Sequence, residues 1–139
     1  MCIGGPHAVR LALAAPDRVR SAVLMQPVGL SDNRDAFYAL FDSWREEVAP
    51  AHPEASDADW AAFREAMWGG DFLFGASRDD LARCDTPLLV LAGDDLYHPR
   101  AVSEAVAALA PRATLLPQWK EGAARVALAQ RLPAFLAAH

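Results

Sequence analysis

The opening of the chain decides the fold, and it reads Met1-Cys2-Ile3-Gly4-Gly5-Pro6-His7 before it continues into a helical pattern. Gly4 and Gly5 allow the backbone to turn tightly, and Pro6 suits the first turn of a helix because no N–H is needed there. Apolar residues then recur at helical spacing, at Val9, Ala12 and Leu13. We therefore predict a turn that places Cys2 directly before the N-terminus of a helix.

Three short apolar runs predict the strands of a sheet, at residues 21–26, 87–92 and 113–116. The first does not alternate between apolar and polar residues, which is typical of a parallel strand that is buried on both faces. Further helices are predicted over residues 31–50, 56–69, 78–83, 99–111 and 122–138, with Pro133 kinking or splitting the last one. The order of elements indicates an α/β fold, a parallel sheet with flanking helices and right-handed crossovers.

Several of these helices carry apolar residues on one face, which we expect to be buried. The predicted faces are Phe37, Leu40, Phe41, Trp44 and Val48; Trp60, Phe63 and Met67; and Val126, Ala129, Leu132 and Leu136. The four tryptophans of the chain, Trp44, Trp60, Trp68 and Trp119, could line an apolar pocket for an acyl group, but helical spacing more often places such residues in a core.

Composition excludes several classes of partner. The chain has 139 residues, of which 53% are hydrophobic, and a net charge of −5 with its basic residues scattered. This is the composition of one globular domain, without the basic patch that nucleic acid or an anionic membrane requires. No apolar run approaches the length that spans a bilayer. The expected partner is a small-molecule substrate or ligand.

The two cysteines, Cys2 and Cys84, show neither metal-ligand spacing nor a disulfide framework. We expect no metal and no cofactor. Unpaired cysteines favour a reducing compartment, so the predicted location is cytoplasmic.

Three segments of the chain resemble the alpha/beta-hydrolase family. In Cys2-x-Gly4-Gly5 a cysteine stands where the family's G-x-S-x-G nucleophile elbow has serine. A Pro16-Asp17-Arg18-Val19 turn before residues 21–26 is similar to the end of the elbow's helix and the strand that follows it. Residues 86–95, with Pro99 four positions after Asp95, look like the strand and loop that carry the family's acid. The middle third matches only in being helical, as the family's variable cap is.

The resemblance implies three site residues. Cys2 would be the nucleophile, its thiolate favoured by the amides and the positive end of the following helix. The backbone N–H of Ile3 would be half of the oxyanion hole. Asp95 would be the acid, and the alternative for it is a loop aspartate that caps the helix at Pro99. Without the resemblance, an isolated Cys2 would be interpreted as a small buried residue.

The family's histidine has no counterpart where the resemblance places it, around Gln118-Trp119-Lys120. His7, His52 and His139 are more typical of surface or packing residues. His98 lies in the loop with Asp95, but a base there would depart from the family. Lys120 could pair with a thiolate and Glu121 could relay a proton, although such a pair after a strand is usually a solvated turn.

The resemblance begins at the elbow, so the family's earlier strands and its oxyanion loop have no counterpart among these residues. We expect residues 1–139 to form a single partial domain, an incomplete alpha/beta-hydrolase fold with residues 31–85 as a small helical cap. Such a chain is either a truncated gene product or a fragment that works with a partner. An uncovered sheet edge is expected to favour self-association.

Two functions remain open at this stage. The first is hydrolysis of an ester, lactone or similar acyl bond through a cysteine nucleophile. The alternative is a catalytically inactive remnant, or a protein that binds a small molecule or a partner, because the catalytic histidine and the earlier strands are missing. The resemblance implies an alpha/beta-fold hydrolase, and the missing histidine and earlier strands predict impaired activity in this chain.

Overall fold

The structure is a computed structural model that describes residues 1–139. It contains three strands and six helices. The strands are β1 (Ala22–Met25), β2 (Leu88–Leu91) and β3 (Ala113–Leu116). The helices are α1 (Gly4–Ala14), α2 (Arg34–Val48), α3 (Asp57–Trp68), α4 (Arg78–Ala82), α5 (Arg100–Leu109) and α6 (Gly122–Ala137). A single 3-10 turn, Ala49–Ala51, follows α2. No helix is long and apolar enough to cross a membrane.

The sheet is parallel throughout and its strands lie in the order β1-β2-β3. Met25 on β1 lies beside Leu91 on β2, and Leu91 lies beside Leu116 on β3, so all three strands end at the same edge. The predicted α/β class and parallel sheet with flanking helices are confirmed. All three predicted strand positions are also confirmed.

The main core forms where α1, α4 and α5 pack around the sheet. Every residue of the central strand β2 is buried, as its continuous apolar sequence predicts. Val9 and Ala12 of α1 are buried as expected, and Leu13 packs against the core. Phe72 and Leu73, in the loop before α4, also lie in this core. Part of the segment 31–85 is therefore core, and its role as a cap stays a prediction.

Two serines cap the N-termini of helices. The hydroxyl of Ser56 accepts from the N–H of Asp59 at the start of α3, and the Asp59 carboxylate accepts from the Ser56 N–H. Ser77 and Asp80 make the same reciprocal pair at the start of α4. Each capping box satisfies two backbone donors that would otherwise lack partners.

The predicted buried faces are only partly correct. Phe37, Phe41 and Trp60 are buried and Val48 is half-buried, whereas four residues of the predicted faces are exposed, namely Leu40, Trp44, Phe63 and Met67. These two helices pack mainly on each other, so part of each apolar stripe meets solvent.

Part of the prediction for α6 is wrong, namely a split at Pro133 and most of the buried face. The helix runs continuously through Pro133, without a split. Val126, Ala129 and Leu136 are exposed, and no residue of α6 is fully buried. The half-buried positions are instead Ala124, Leu128, Leu132 and Phe135. Since alanine and leucine occur on all sides of α6, its sequence does not define one apolar face.

Candidate active site

Cys2 lies in a sharp turn just before the start of α1, and this turn is held beside the end of β1. Its N–H donates to the Met25 carbonyl at 3.0 Å, and it pairs in parallel with Pro27. Its φ is +55°, a left-handed conformation that side chains other than glycine adopt only at some cost. Small residues follow because the turn passes close to β1: a Cβ on Gly5 would lie 3.2 Å from the Pro27 Cβ. The turn predicted before the helix is therefore present.

One backbone donor in this turn has no acceptor. The N–H of Gly4 donates to the Met1 carbonyl at 3.1 Å and that of Gly5 donates to the Cys2 carbonyl at 2.9 Å. The Ile3 N–H, which precedes these two in sequence, donates to no backbone or side-chain group. It lies at the N-terminus of α1, where the helix dipole favours negative charge.

Asp95 lies in the loop after β2, which we call the acid loop (residues 93–99). Its Oδ1 accepts from the backbone N–H groups of Tyr97, at 3.0 Å, and His98, at 2.9 Å. The carboxylate thus closes its own loop and leaves the start of α5 without a side-chain cap. The alternative that Asp95 caps that helix is wrong.

The Asp95 carboxylate also pairs with the His98 ring. Nδ1 of His98 lies 2.8 Å from Oδ1 and 3.0 Å from Oδ2. Partial burial raises the pKa of Asp95. Hydrogen bonds from the His98 side chain and from the backbone lower it by a larger amount, so the pKa lies below its ordinary value.

The other ring nitrogen of His98 has no partner. Nε2 is buried and makes no hydrogen bond, and it is the one such side-chain atom in the structure. The family resemblance does not predict the pair of His98 and Asp95, because it places the histidine in the loop after β3. The spacing of three residues between Asp95 and His98 was the signal that could have identified this pair.

The loop after β3, where the resemblance places the histidine, is engaged in other contacts. The indole Nε1 of Trp119 donates to the Ala92 carbonyl at 2.8 Å. Lys120 forms an ion pair with Asp94. Both contacts join the ends of β2 and β3 beside an open cavity of about 400 Å³. Lys120 is therefore partnered by a carboxylate, with no contact to Cys2.

Cys2 and the acid loop meet at one apolar cluster. Val28, Phe37 and Phe74 form a small buried group, and both Cys2 and Tyr97 pack against it. The Phe37 and Tyr97 rings contact edge to face with centroids 5.3 Å apart. The sheet thus brings the two predicted catalytic residues to the same edge, as expected for residues beyond the carboxyl ends of parallel strands.

The four tryptophans do not line a common pocket. Trp68 stacks on Phe37 and belongs to the apolar cluster beside Cys2. Trp44 and Trp60 contact each other in a separate group between α2 and α3. Trp119 lies on the loop after β3. Only Trp68 can therefore contact a ligand held against the apolar cluster.

The remaining histidines are not near this cluster. His7 is exposed on α1, His52 bonds to Glu54 after α2, and the His139 ring packs on Phe135. No three histidine, cysteine, aspartate or glutamate side chains converge in a way that could hold a metal ion.

Comparison with known proteins identifies the fold. No family model and no curated protein matches the sequence. Among solved structures, a Mycobacterium tuberculosis protein described as a non-heme bromoperoxidase, BpoC, superposes with a TM-score of 0.67 at 20% identity, over 99% of this chain and 65% of its own. Rv0554 from the same organism gives 0.66 at 20% identity, over 99% and 63%. A hydrolase from Pseudomonas aeruginosa gives 0.55 at 22% identity, over 95% and 59%.

These similarities establish architecture and leave activity open, because identity is low in every case. The chain also spans less than two thirds of each of these structures. All of them have the alpha/beta-hydrolase fold. The resemblance found in the sequence is confirmed at this level: the chain has a partial alpha/beta-hydrolase fold, with three parallel strands and their flanking helices.

Proposed function

We propose that this chain carries the nucleophile and the acid of an acyl-bond hydrolase, with Cys2 as the nucleophile and Asp95 as the acid. The observation that supports it most is the left-handed backbone of Cys2, at φ +55°, directly before α1. Unfavourable backbone geometry at a non-glycine residue is characteristic of functional sites, and a nucleophile elbow requires it. The substrate class is an ester, lactone or similar acyl compound.

The proposed reaction proceeds through a thioester. The Cys2 thiolate attacks the carbonyl carbon, and the carbonyl oxygen becomes an oxyanion. When the intermediate collapses, the C–O bond to the alcohol breaks and the alcohol oxygen takes up a proton. Water then attacks the thioester, releasing the acid and restoring the Cys2 thiol.

The backbone amide of Ile3 is the proposed donor to the oxyanion. Its N–H has no acceptor in the fold and lies at the N-terminus of α1, so a negatively charged oxygen there would receive a hydrogen bond without displacing another.

A second candidate is binding without turnover, in which the apolar cluster beside Cys2 holds a small hydrophobic molecule. The loop after β3 favours this candidate, because Trp119 and Lys120 occur where the resemblance places the family's histidine. Trp119 donates to the Ala92 carbonyl, and Lys120 forms an ion pair with Asp94. In this case Cys2 would react as an ordinary thiol.

A reducing compartment, such as the cytoplasm, is part of the proposal. Both cysteines are free thiols, and Cys84 is buried in the core. The chemistry requires Cys2 to remain reduced.

Thiol alkylation measured against pH tests the proposal. In the Cys84→Ser variant only Cys2 reacts with iodoacetamide, and the same variant unfolded in urea supplies the reference for an unperturbed thiol. We expect the folded protein to react with iodoacetamide at lower pH than the unfolded protein. In a second experiment, an activated phenyl ester should leave an acyl adduct on the protein, and the Cys2→Ser variant should lack this adduct. Identical pH profiles in the two states, with no adduct, would overturn the hydrolase proposal.

A further inference from the structure

His98 has one tautomer imposed on its neutral ring. Nδ1 lies within 3.0 Å of both Asp95 carboxylate oxygens, and a carboxylate only accepts hydrogen bonds. Nδ1 therefore carries the hydrogen, and Nε2 presents a lone pair. A histidine held in this way by a carboxylate is prepared to accept a proton at its second nitrogen.

That second nitrogen differs from the other buried side-chain nitrogen and oxygen atoms in its hydrogen bonding. Nε2 of His98 is buried and has no hydrogen-bond partner, although buried polar atoms are nearly always paired. The nearby charged groups do not explain it, since Asp94 and Lys120 pair with each other and Arg100 donates to the Pro117 carbonyl. Nε2 is therefore free to accept a proton.

The topology brings Cys2 to the same region. The backbone of His98 packs so closely on Gly93 that a Cβ there would lie 2.1 Å from the His98 carbonyl oxygen. Gly93 follows β2, and Cys2 pairs with Pro27 on the far side of the neighbouring strand. Two strand spacings, about 10 Å, separate the Cys2 and Gly93 backbones. Tyr97, adjacent to His98, shares an apolar cluster with Cys2.

We propose that His98 is the base for Cys2, so that the acid and the base of this site come from one loop. The inference rests on the proposed hydrolase function. The Cys2 thiol transfers its proton to Nε2 of His98, giving a thiolate and an imidazolium that Asp95 stabilises. The imidazolium then returns the proton to the departing alcohol oxygen. Cys2 makes no side-chain hydrogen bond in the resting structure, so the transfer requires rotation of its side chain or one bridging water.

The decisive variant is His98→Asn in the Cys84→Ser protein. An asparagine Nδ2 replaces Nδ1 as donor to Asp95, so the loop contact is kept while Nε2 is removed. We expect the apparent pKa of Cys2 alkylation to rise toward the ordinary thiol value of about 8.5, and the rate at pH 7 to fall about tenfold for each unit by which that pKa exceeds 7. The exposed His52→Asn serves as the control and should change neither.

The outcomes separate the two proposals. If Cys2 is activated in the Cys84→Ser protein and stays equally activated in folded His98→Asn, the inference is wrong and the hydrolase proposal stands. If Cys2 behaves as an ordinary thiol before His98 is changed, the hydrolase proposal itself fails.

A second measurement does not depend on the folding of the His98 variant. The His98 ring is titrated by NMR in the Cys84→Ser protein and in the same protein with Cys2→Ser. A thiolate beside the imidazolium favours its charged form, so we expect a higher His98 pKa when Cys2 is present. Equal values in the two proteins would overturn the inference.

Discussion

The amide of Asn33 joins the start of α2 to the acid loop, with Nδ2 donating to the Leu96 carbonyl at 2.7 Å. The same nitrogen donates to the Gly29 carbonyl at 3.2 Å, and Oδ1 accepts from the Ser31 N–H at 2.8 Å. Asn33 is buried, so these bonds are not replaced by water. The Asn33 side chain therefore supports the loop that carries Asp95 and His98.

Asn33→Ala should lower the free energy of unfolding by about 2 kcal/mol, because buried backbone carbonyls lose their donor. Urea denaturation measures the change. Asp32→Asn is the matched control, since Asp32 is exposed and its φ of +56° suits asparagine equally well. Equal losses in the two variants would show that Asn33 does not support the loop.

The pH dependence of Asp95 follows from its lowered pKa. A carboxyl whose pKa is lower in the folded state adds stability above its unfolded pKa of about 3.9, and this stability is lost as pH falls through the folded pKa. Asp95→Asn should therefore be less stable than wild type at pH 6, and the difference should shrink below about pH 4. Chemical denaturation over this range measures both proteins.

Asp85→Asn is the control for this pH series. Asp85 is exposed, and its side chain makes no hydrogen bond or ion pair. Its difference from wild type should stay constant with pH. A gap between wild type and Asp95→Asn that is also constant would mean that the contacts of Asp95 with His98 and Tyr97 do not contribute to stability.

The boundary between core and surface on α2 gives a third prediction. Phe41 is 2% exposed and Trp44 is 42% exposed, although both lie in the apolar stripe of one helix. Phe41→Ala should cost about 3 to 5 kcal/mol, because it leaves a cavity, whereas Trp44→Ala should cost much less. Thermal unfolding followed by circular dichroism compares them. Equal losses would indicate that Trp44 is covered by something that is absent from this structure.

How far the sequence predicts the molecule depends on the kind of signal. The strands and helices could be predicted because local signals define them: the continuous apolar run of β2, the capping box at Ser56 and the proline before α5. The exposed faces of Leu40 and Phe63 could not, because spacing identifies a stripe but not what covers it. For α6, alanine and leucine lie around the whole helix and define no single apolar face. The sequence also does not show that the helix continues through Pro133.

Some residues of the candidate site could also be predicted from the sequence, and others could not. Cys2, Ile3 and Asp95 were predicted from motifs, and the structure brings Cys2 and the acid loop to one apolar cluster. The Asp95–His98 contact was not predicted, because the family resemblance directed attention to the loop after β3. Only the folded loop shows that Nδ1 of His98 reaches the carboxylate while Nε2 is left without a partner.

The outer edge of β1 gives the last prediction. The N–H groups of Ala22 and Gln26 donate to β2, so alternation along the strand directs those of Val23 and Met25 away from the sheet. Cys2 bonds to the Met25 carbonyl there, and no strand pairs with the rest of this edge.

An unpaired edge is a template for another strand, so we expect the chain to self-associate as its concentration rises. Val23→Pro removes an outward N–H without breaking a bond to β2, and it should reduce association, whereas Val23→Ala keeps the N–H and should associate like wild type. Light scattering coupled to size exclusion, over a wide concentration range, measures the mass of each protein. If wild type and Val23→Pro associate to the same extent, another surface, such as the exposed aromatic residues of α2 and α3, is responsible for the contact.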